Sequence, residues 1–276
     1  MSSNHFYINE DIENIIKERD KHSHKGNYGR ACLIAGSKGM MGAALLSAKA
    51  CLRTGLGILS VMTPSRGEGI IHSHLPEVLW IDGGNEDYNT SLPDLSTYKS
   101  IGIGPGLSQK EEVVQLIKKL LDQSELPLVI DADALNILAA NPDLLSNIPK
   151  NSILTPHPKE FERLVGSFKD DEEKWQKQIG LSKKLGVVVL VKGAYTSISD
   201  PNGNIYWNTN GNPGMAKGGS GDVLTGMILS FLAQGYTSLQ AALLACFQHG
   251  KAGDLAKEKF GEHQMIARDI IDEITF

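Results

Sequence analysis

The 276 residues carry 27 basic and 32 acidic side chains, a formal net charge of −5, and are 41% hydrophobic before the 29 glycines are counted. That balance excludes a disordered chain, and with no long Lys/Arg block it excludes nucleic acid or an anionic membrane as the partner. No apolar run approaches the roughly 18–20 residues of a membrane span, and the charged start MSSNHFYINEDIENIIKERD has no signal-peptide pattern, so a cytoplasmic protein is expected.

Short apolar runs then alternate with helical patterns. RACLIAG (30–36) precedes the helical MGAALLSAKACLRTG (41–55), and GILSVMTP (57–64) and LPEVLWI (75–81) follow as strands. KSIGIGPG (99–106) precedes the amphipathic SQKEEVVQLIKKLLDQ (108–123), PLVIDADAL (127–135) leads into NILAAN, and NSILTP (151–156) leads into HPKEFERLVG. The charged helix DDEEKWQKQIGLSKKLG (170–186) feeds VVVLVKG (187–193), an unbroken apolar run of the kind found in central parallel strands. TSISDPNGNIYWN (196–208) reads as a hairpin turning at Pro-Asn-Gly-Asn, and two long helical patterns close the chain. This order predicts an α/β fold with a mainly parallel central sheet and helices on both faces. No linker or fixed-period repeat interrupts it, so one domain over 1–276 is expected. Cys32, Cys51 and Cys246 stand far apart without C-x-x-C spacing and are expected as buried thiols.

In open α/β sheets ligands sit outside the carboxyl ends of the strands. Those ends here read Gly36-Ser37-Lys38-Gly39, Gly102-Ile103-Gly104-Pro105-Gly106, Asp131-Ala132-Asp133, Thr155-Pro156-His157-Pro158 and Lys192-Gly193-Ala194-Tyr195-Thr196. Any one of them could be an ordinary turn; five together point to a ligand edge. The strongest local signal is GNPGMAKGGSGD (211–222), with five glycines in twelve residues just before a helix. Main-chain N–H groups without side chains in the way, together with the positive end of the helix, suit an anion such as phosphate. Neither G-x-x-x-x-G-K-[ST] nor G-x-G-x-x-G occurs, so the cradle is neither a P-loop nor a dinucleotide fingerprint.

Asp222 could serve the helix end alone, as a first-turn acid. Beside an anion it would repel its own ligand, unless it takes a proton from an attacking hydroxyl, as phosphoryl transfer to an alcohol requires. Lys192 can either snorkel to the surface or meet nucleotide phosphate or base. His157 stands between two prolines that restrict its backbone, and in an ordinary loop would be inert. The pairs His22/His24 and His72/His74 have the spacing of strand metal ligands, but with no third ligand they are expected to face solvent, and no metal ligand is assigned.

The segment NPGMAKGGSGDVLTG resembles the anion hole and catalytic aspartate of the ribokinase-like superfamily. The ordered motifs KGNYGRACLIAGSKGMMGAALLSAKACLRTGLG, GPGL, DADALN, TPHPKEFERL and VLVKGAYT extend the likeness over roughly residues 25–255 to the ADP/ATP-dependent NAD(P)H-hydrate dehydratases, in their stand-alone form without an N-terminal epimerase domain. The resemblance implies a lyase that repairs the S epimer of hydrated NADH or NADPH with ADP or ATP as co-substrate and Mg²⁺ as cofactor. By that likeness Asp222 is the base, and Gly218, Gly219, Ser220 and Gly221 form the anion hole. Lys192, Gly193, Ala194, Tyr195, Thr196 and Gly221 hold the nucleotide, while Ala43, Gly106, His157 and Asp222 contact the hydrated dinucleotide. Asp131, Asp133 and Asn136 are weaker candidates for positioning substrate or hydrated Mg²⁺. A homo-oligomer, most simply a tetramer, and a functional partnership with a separate epimerase are also implied. The alternatives are a thiazole, pyrimidine or pyridoxal kinase of the same superfamily, sharing Gly221 and Asp222, and a nucleotide sensor without turnover. TPHPKE and GSKGMMGAA favour the dehydratases over the kinases.

Overall fold

Period-two alternation places the strand side chains on two faces: in β2 (Arg30–Ile34), Ala31 and Leu33 pack on one side and Cys32 and Ile34 on the other, all fully buried. The computed structural model describes residues 5–276; the first four residues of the charged start lie outside the described residues. Before β2 comes β1 (His5–Tyr7). After it come α1 (Met41–Arg53), β3 (Ile58–Thr63), α2 (Glu68–His74), β4 (Leu79–Asp82), β5 (Ser100–Ile103), α3 (Glu111–Gln123), β6 (Leu128–Ile130) and α4 (Ala132–Ala140). The second half contains β7 (Ile153–Leu154), α5 (Pro158–Val165), α6 (Asp171–Leu185), β8 (Val188–Val191), β9 (Thr196–Ser199), β10 (Ile205–Asn208), α7 (Ser220–Ala233), α8 (Ser238–Phe260) and α9 (Ala267–Asp272).

The ten strands form one sheet in the order β1-β10-β9-β8-β7-β6-β5-β2-β3-β4. Only β9 among them runs against its neighbours; the other pairings are parallel. From β2 the chain steps outward through β3 and β4, then returns to β5 on the other side of β2 and continues toward β8. The β2/β5 boundary is therefore a switch point, where the loops leaving the two strands diverge and open a crevice. Helices α1, α7, α8 and α9 cover one face, and α3, α4, α5 and α6 cover the other.

The structure differs from the sequence reading in three places. The run LPEVLWI becomes a strand only from Leu79, because Leu75 ends α2 and a turn with Pro76 follows. His72 and His74 are exposed on helix α2 rather than on a strand, and His24 caps a short 3-10 turn. The described residues contain no cluster of three His, Cys, Asp or Glu side chains suited to a metal. The charged start also contributes β1, which had no strand signature. The three cysteines are free and buried, as expected, and burial pushes their thiol pKa values up. No helix of the described residues is long and apolar enough to cross a membrane.

Candidate active site

The carboxyl ends of β5 to β8 and the start of α7 converge on one charged cluster. Asp131, the residue after β6, is 1% exposed, and its carboxylate accepts from Lys192 Nζ at 2.7 Å and from Thr225 Oγ1 at 2.6 Å. Two charge-assisted bonds on one buried carboxylate make its burial tolerable. Lys192 follows β8, and its own N–H donates to Pro156 O at 2.9 Å, joining the ends of β7 and β8. The ammonium therefore turns inward instead of snorkelling. A Cβ added at Gly221 would lie 3.3 Å from it, which puts Lys192 against the first turn of α7.

Lys192→Met keeps the length of the side chain but leaves Asp131 with a single partner. Breaking a fully buried pair costs about 3–5 kcal/mol. Because the Lys192 side chain is 20% exposed, a loss of roughly 2 kcal/mol is expected, read as a lower thermal midpoint near neutral pH.

Asp222 lies in the first turn of α7, and its pKa is pushed up to about 6, first by burial and then by the charge of Asp131, against the opposing pull of Lys192. It is not a cap: the N-cap is Gly219, and no side chain caps this helix. The first N–H groups of α7 have no intrahelical acceptor, and Ser220 N makes only a long 3.4 Å bond to Lys217 O, which leaves this helix start available to a ligand. Gly219 holds a φ of 95°, in the left-handed region, and a Cβ at Gly218 would meet only open space. The preceding loop is pinned to α8, with Gly211 N and Asn212 Nδ2 both donating to Asp254 at 2.9 Å. Lys217 turns away and donates to the carbonyls of His263 and Met265.

The nucleotide candidates adjoin this cradle. Gly193, Ala194 and Tyr195 form an exposed turn closed by Thr196 Oγ1, which donates to Gly193 O at 3.1 Å. On the other side, at the switch point, Gly36 N donates to Pro105 O at 2.9 Å and Ser37 Oγ to Gly106 O at 2.8 Å. A Cβ at Gly106 would stand 3.1 Å from that of Ala43, so these two dinucleotide candidates share one wall of the crevice.

His157 caps α5. Its Nδ1 accepts from the N–H groups of Lys159 and Glu160, while Glu160 accepts from His157 N at 2.8 Å. An accepting Nδ1 places the proton of the neutral ring on Nε2, which lies 3.4 Å from Glu160 Oε1. The weaker candidates carry scaffold contacts. Asp133 accepts from Ser108 N at 2.8 Å and Gln109 Nε2 at 3.0 Å, and Asn136 accepts from Arg163 Nη1 at 2.7 Å. Thr225, Asp254 and His249 belong to the same neighbourhood and were not singled out from the sequence. Each sits in an otherwise helical pattern, and a titratable His249 inside the apolar ACFQHG was the one available signal.

The mainly parallel sheet that carries this uncapped glycine cradle at its carboxyl edge is shared with a ribokinase-like superfamily protein of Enterococcus faecalis, whose crystal structure superposes with a TM-score of 0.86 at 29% identity, covering 98% of this chain and 94% of that one. The family profile for NAD(P)H-hydrate dehydratase matches residues 31–275, and the chain belongs to that family. It is 37% identical over 273 residues to the ADP-dependent (S)-NAD(P)H-hydrate dehydratase of Bacillus subtilis, covering 97% of this chain and 95% of that one. It is 36% identical to the bifunctional NAD(P)H-hydrate repair enzyme Nnr of Moorella thermoacetica, covering 95% of this chain and 51% of the relative. The chain thus spans about half the length of that bifunctional relative. The crystal structure of the ADP/ATP-dependent NAD(P)H-hydrate dehydratase from Bacillus subtilis, co-crystallized with ATP/Mg²⁺, superposes with a TM-score of 0.85 at 33% identity, covering 98% of this chain and 96% of that one.

Proposed function

We propose that the protein is a nucleotide-dependent dehydratase that returns the S epimer of hydrated NADH or NADPH to the intact dinucleotide. The observation that carries this reading is Asp222, a carboxylate raised to about 6 beside the N–H groups of a helix start that no side chain caps. A base with a pKa near the working pH takes a proton efficiently. Asp222 removes the proton of the ring hydroxyl, whose oxygen attacks the terminal phosphoryl group of ADP or ATP, releasing AMP or ADP. The N–H groups of Gly218, Gly219, Ser220 and Gly221 stabilise the charge on the transferring group. The phosphate ester then leaves as phosphate, driven by the ring nitrogen's electron pair, and loss of a proton from the adjacent carbon restores the double bond.

Lys192 and the 193–196 turn hold the nucleotide, and Ala43, Gly106 and His157 hold the dinucleotide. No ready cage of carboxylates exists among the described residues, which suits Mg²⁺ carried in on nucleotide phosphates, since that ion keeps several waters and uses one or two carboxylates. The nucleotide's own phosphates would hold the ion, because both oxygens of the buried Asp131 are already taken by Lys192 and Thr225, and its chemistry there would be to neutralise phosphate charge. The buried free thiols fit a reducing cytoplasm. One domain, a homotetrameric assembly and a separate epimerase supplying the S epimer complete the proposal.

Incubation with hydrated NADH, Mg²⁺ and either ADP or ATP is expected to restore NADH absorbance with stoichiometric phosphate release. Phosphorylated hydrate accumulating without NADH would mark a kinase. Nucleotide binding with neither product would mark a sensor.

A further inference from the structure

One buried titratable side chain has no part in the chemistry above. His249, on α8, is 9% exposed, and its Nε2 lies 3.3 Å from Oγ of Ser220, the first residue of α7. Burial holds the imidazole pKa down at about 4, so near pH 7 the ring is neutral and available for one hydrogen bond with the hydroxyl.

The composition of the cradle explains why such a contact matters. Gly218 and Gly219 have no side chains, Gly219 is left-handed, and no side chain caps the helix. Glycine's wide conformational range leaves the direction of these N–H groups poorly determined by the loop itself. Ser220 N reaches Lys217 O only at 3.4 Å. Within residues 218–221, Ser220 is the one whose side chain makes a hydrogen bond, and its partner is His249. Helix α8 thus grips the loop along its length, by Phe247 O at Asn210, by Asp254 at Gly211 and Asn212, and by His249 where the loop becomes α7.

We propose that His249 is a positioning residue: through Ser220 it fixes the direction of the N–H groups at the start of α7 so that they meet the transferring phosphoryl group, a role that rests on the phosphoryl-transfer reading above. A preorganised donor set acts on the transition state more than on the bound nucleotide, so its loss falls on kcat rather than KM. His249→Leu and Ser220→Ala are each expected to lower kcat roughly tenfold or more, with KM for ADP within about twofold of wild type. The double variant falls no further than the single ones, because both remove the same contact. His249→Gln, whose amide group can either donate to or accept from the Ser220 hydroxyl, recovers most of the rate.

A second measurement needs no hydrated dinucleotide. AMP with orthovanadate mimics the transferring group. His249→Leu should weaken binding of that pair by a factor similar to its loss in kcat, while AMP alone binds as to wild type. Wild-type kcat in His249→Leu, multiplying losses in the double variant, or unchanged binding of AMP with vanadate would each overturn the proposal. If the wild-type protein restores no NADH, the dehydratase reading falls, and the vanadate measurement still decides the role of His249.

Discussion

Replacing Asp222 with asparagine is expected to lower turnover by about 10²–10⁴-fold, the range for loss of a positioned general base, with ADP bound as tightly as before or more tightly. Affinity survives because the carboxylate faces the place where phosphate charge arrives and opposes it. Near-wild-type turnover would remove Asp222 as the base. In the wild type, kcat/KM should fall about tenfold per pH unit below pH 6. The same substitution has a stability signature of opposite sign. The native pKa of about 6 lies above the reference value of 3.8, so above pH 6 both folded and unfolded states are ionised and the native state bears the full cost. As pH falls from 6 toward 3.8 the native carboxylate takes up its proton first, and below that range the cost is gone. With the partial exposure of Asp222 discounted, Asp222→Asn should be more stable by about 1–3 kcal/mol at pH 8. That gain should vanish near pH 4, as thermal melts at the two values would show. A loss of activity together with a gain in melting temperature is hard to produce by misfolding.

Gly104→Ala is expected to cost more than about 3 kcal/mol, enough to leave little soluble protein. Gly104 ends the β5 side of the switch point with a φ of 127°, and an added Cβ would lie 1.8 Å from Asp131 O, a backbone atom with no rotamer to change. The strain would be relieved only by spreading β5 from β6, which carries Asp131 away from Lys192. Melting and expression yield measure the effect; a variant within about 1 kcal/mol of wild type would show that this junction is far softer than its packing indicates.

What the sequence made legible follows from what is contiguous in it. The glycine cradle and Asp222 occupy one short stretch, and the buried strands announce themselves as apolar runs. The pairings that tune the site join distant residues: Lys192 and Asp131 are 61 positions apart, and His249 and Ser220 are 29 apart. No periodicity reports such a contact. β1 was illegible for another reason. It has three residues, with Phe6 44% and Tyr7 75% exposed, so it lacks the alternation by which burial writes itself into a strand. Its strand character comes from backbone pairing with β10 across the whole chain. His157 shows the opposite case: the Pro-His-Pro setting that made it look inert is the start of a capped helix, and the cap sets which ring nitrogen carries the proton.

The reversal of β9 has a consequence for how the chain can change over time. Thr196 opens β9 and pairs with Asn208 at the close of β10, so the chain leaves and re-enters the ligand edge at the same place. The nucleotide turn before the hairpin and the glycine cradle after it thereby become neighbours, while the bend at 200–204 lies at the opposite edge of the sheet. Change in that bend is confined to the exposed Pro201 and Asn202: the buried Asp200 accepts from Asn202 N, Asn204 N and Asn204 Nδ2, so a longer or shorter bend would break those bonds, while the spacing between the two halves of the phosphate site is kept by the pairing of β9 with β10.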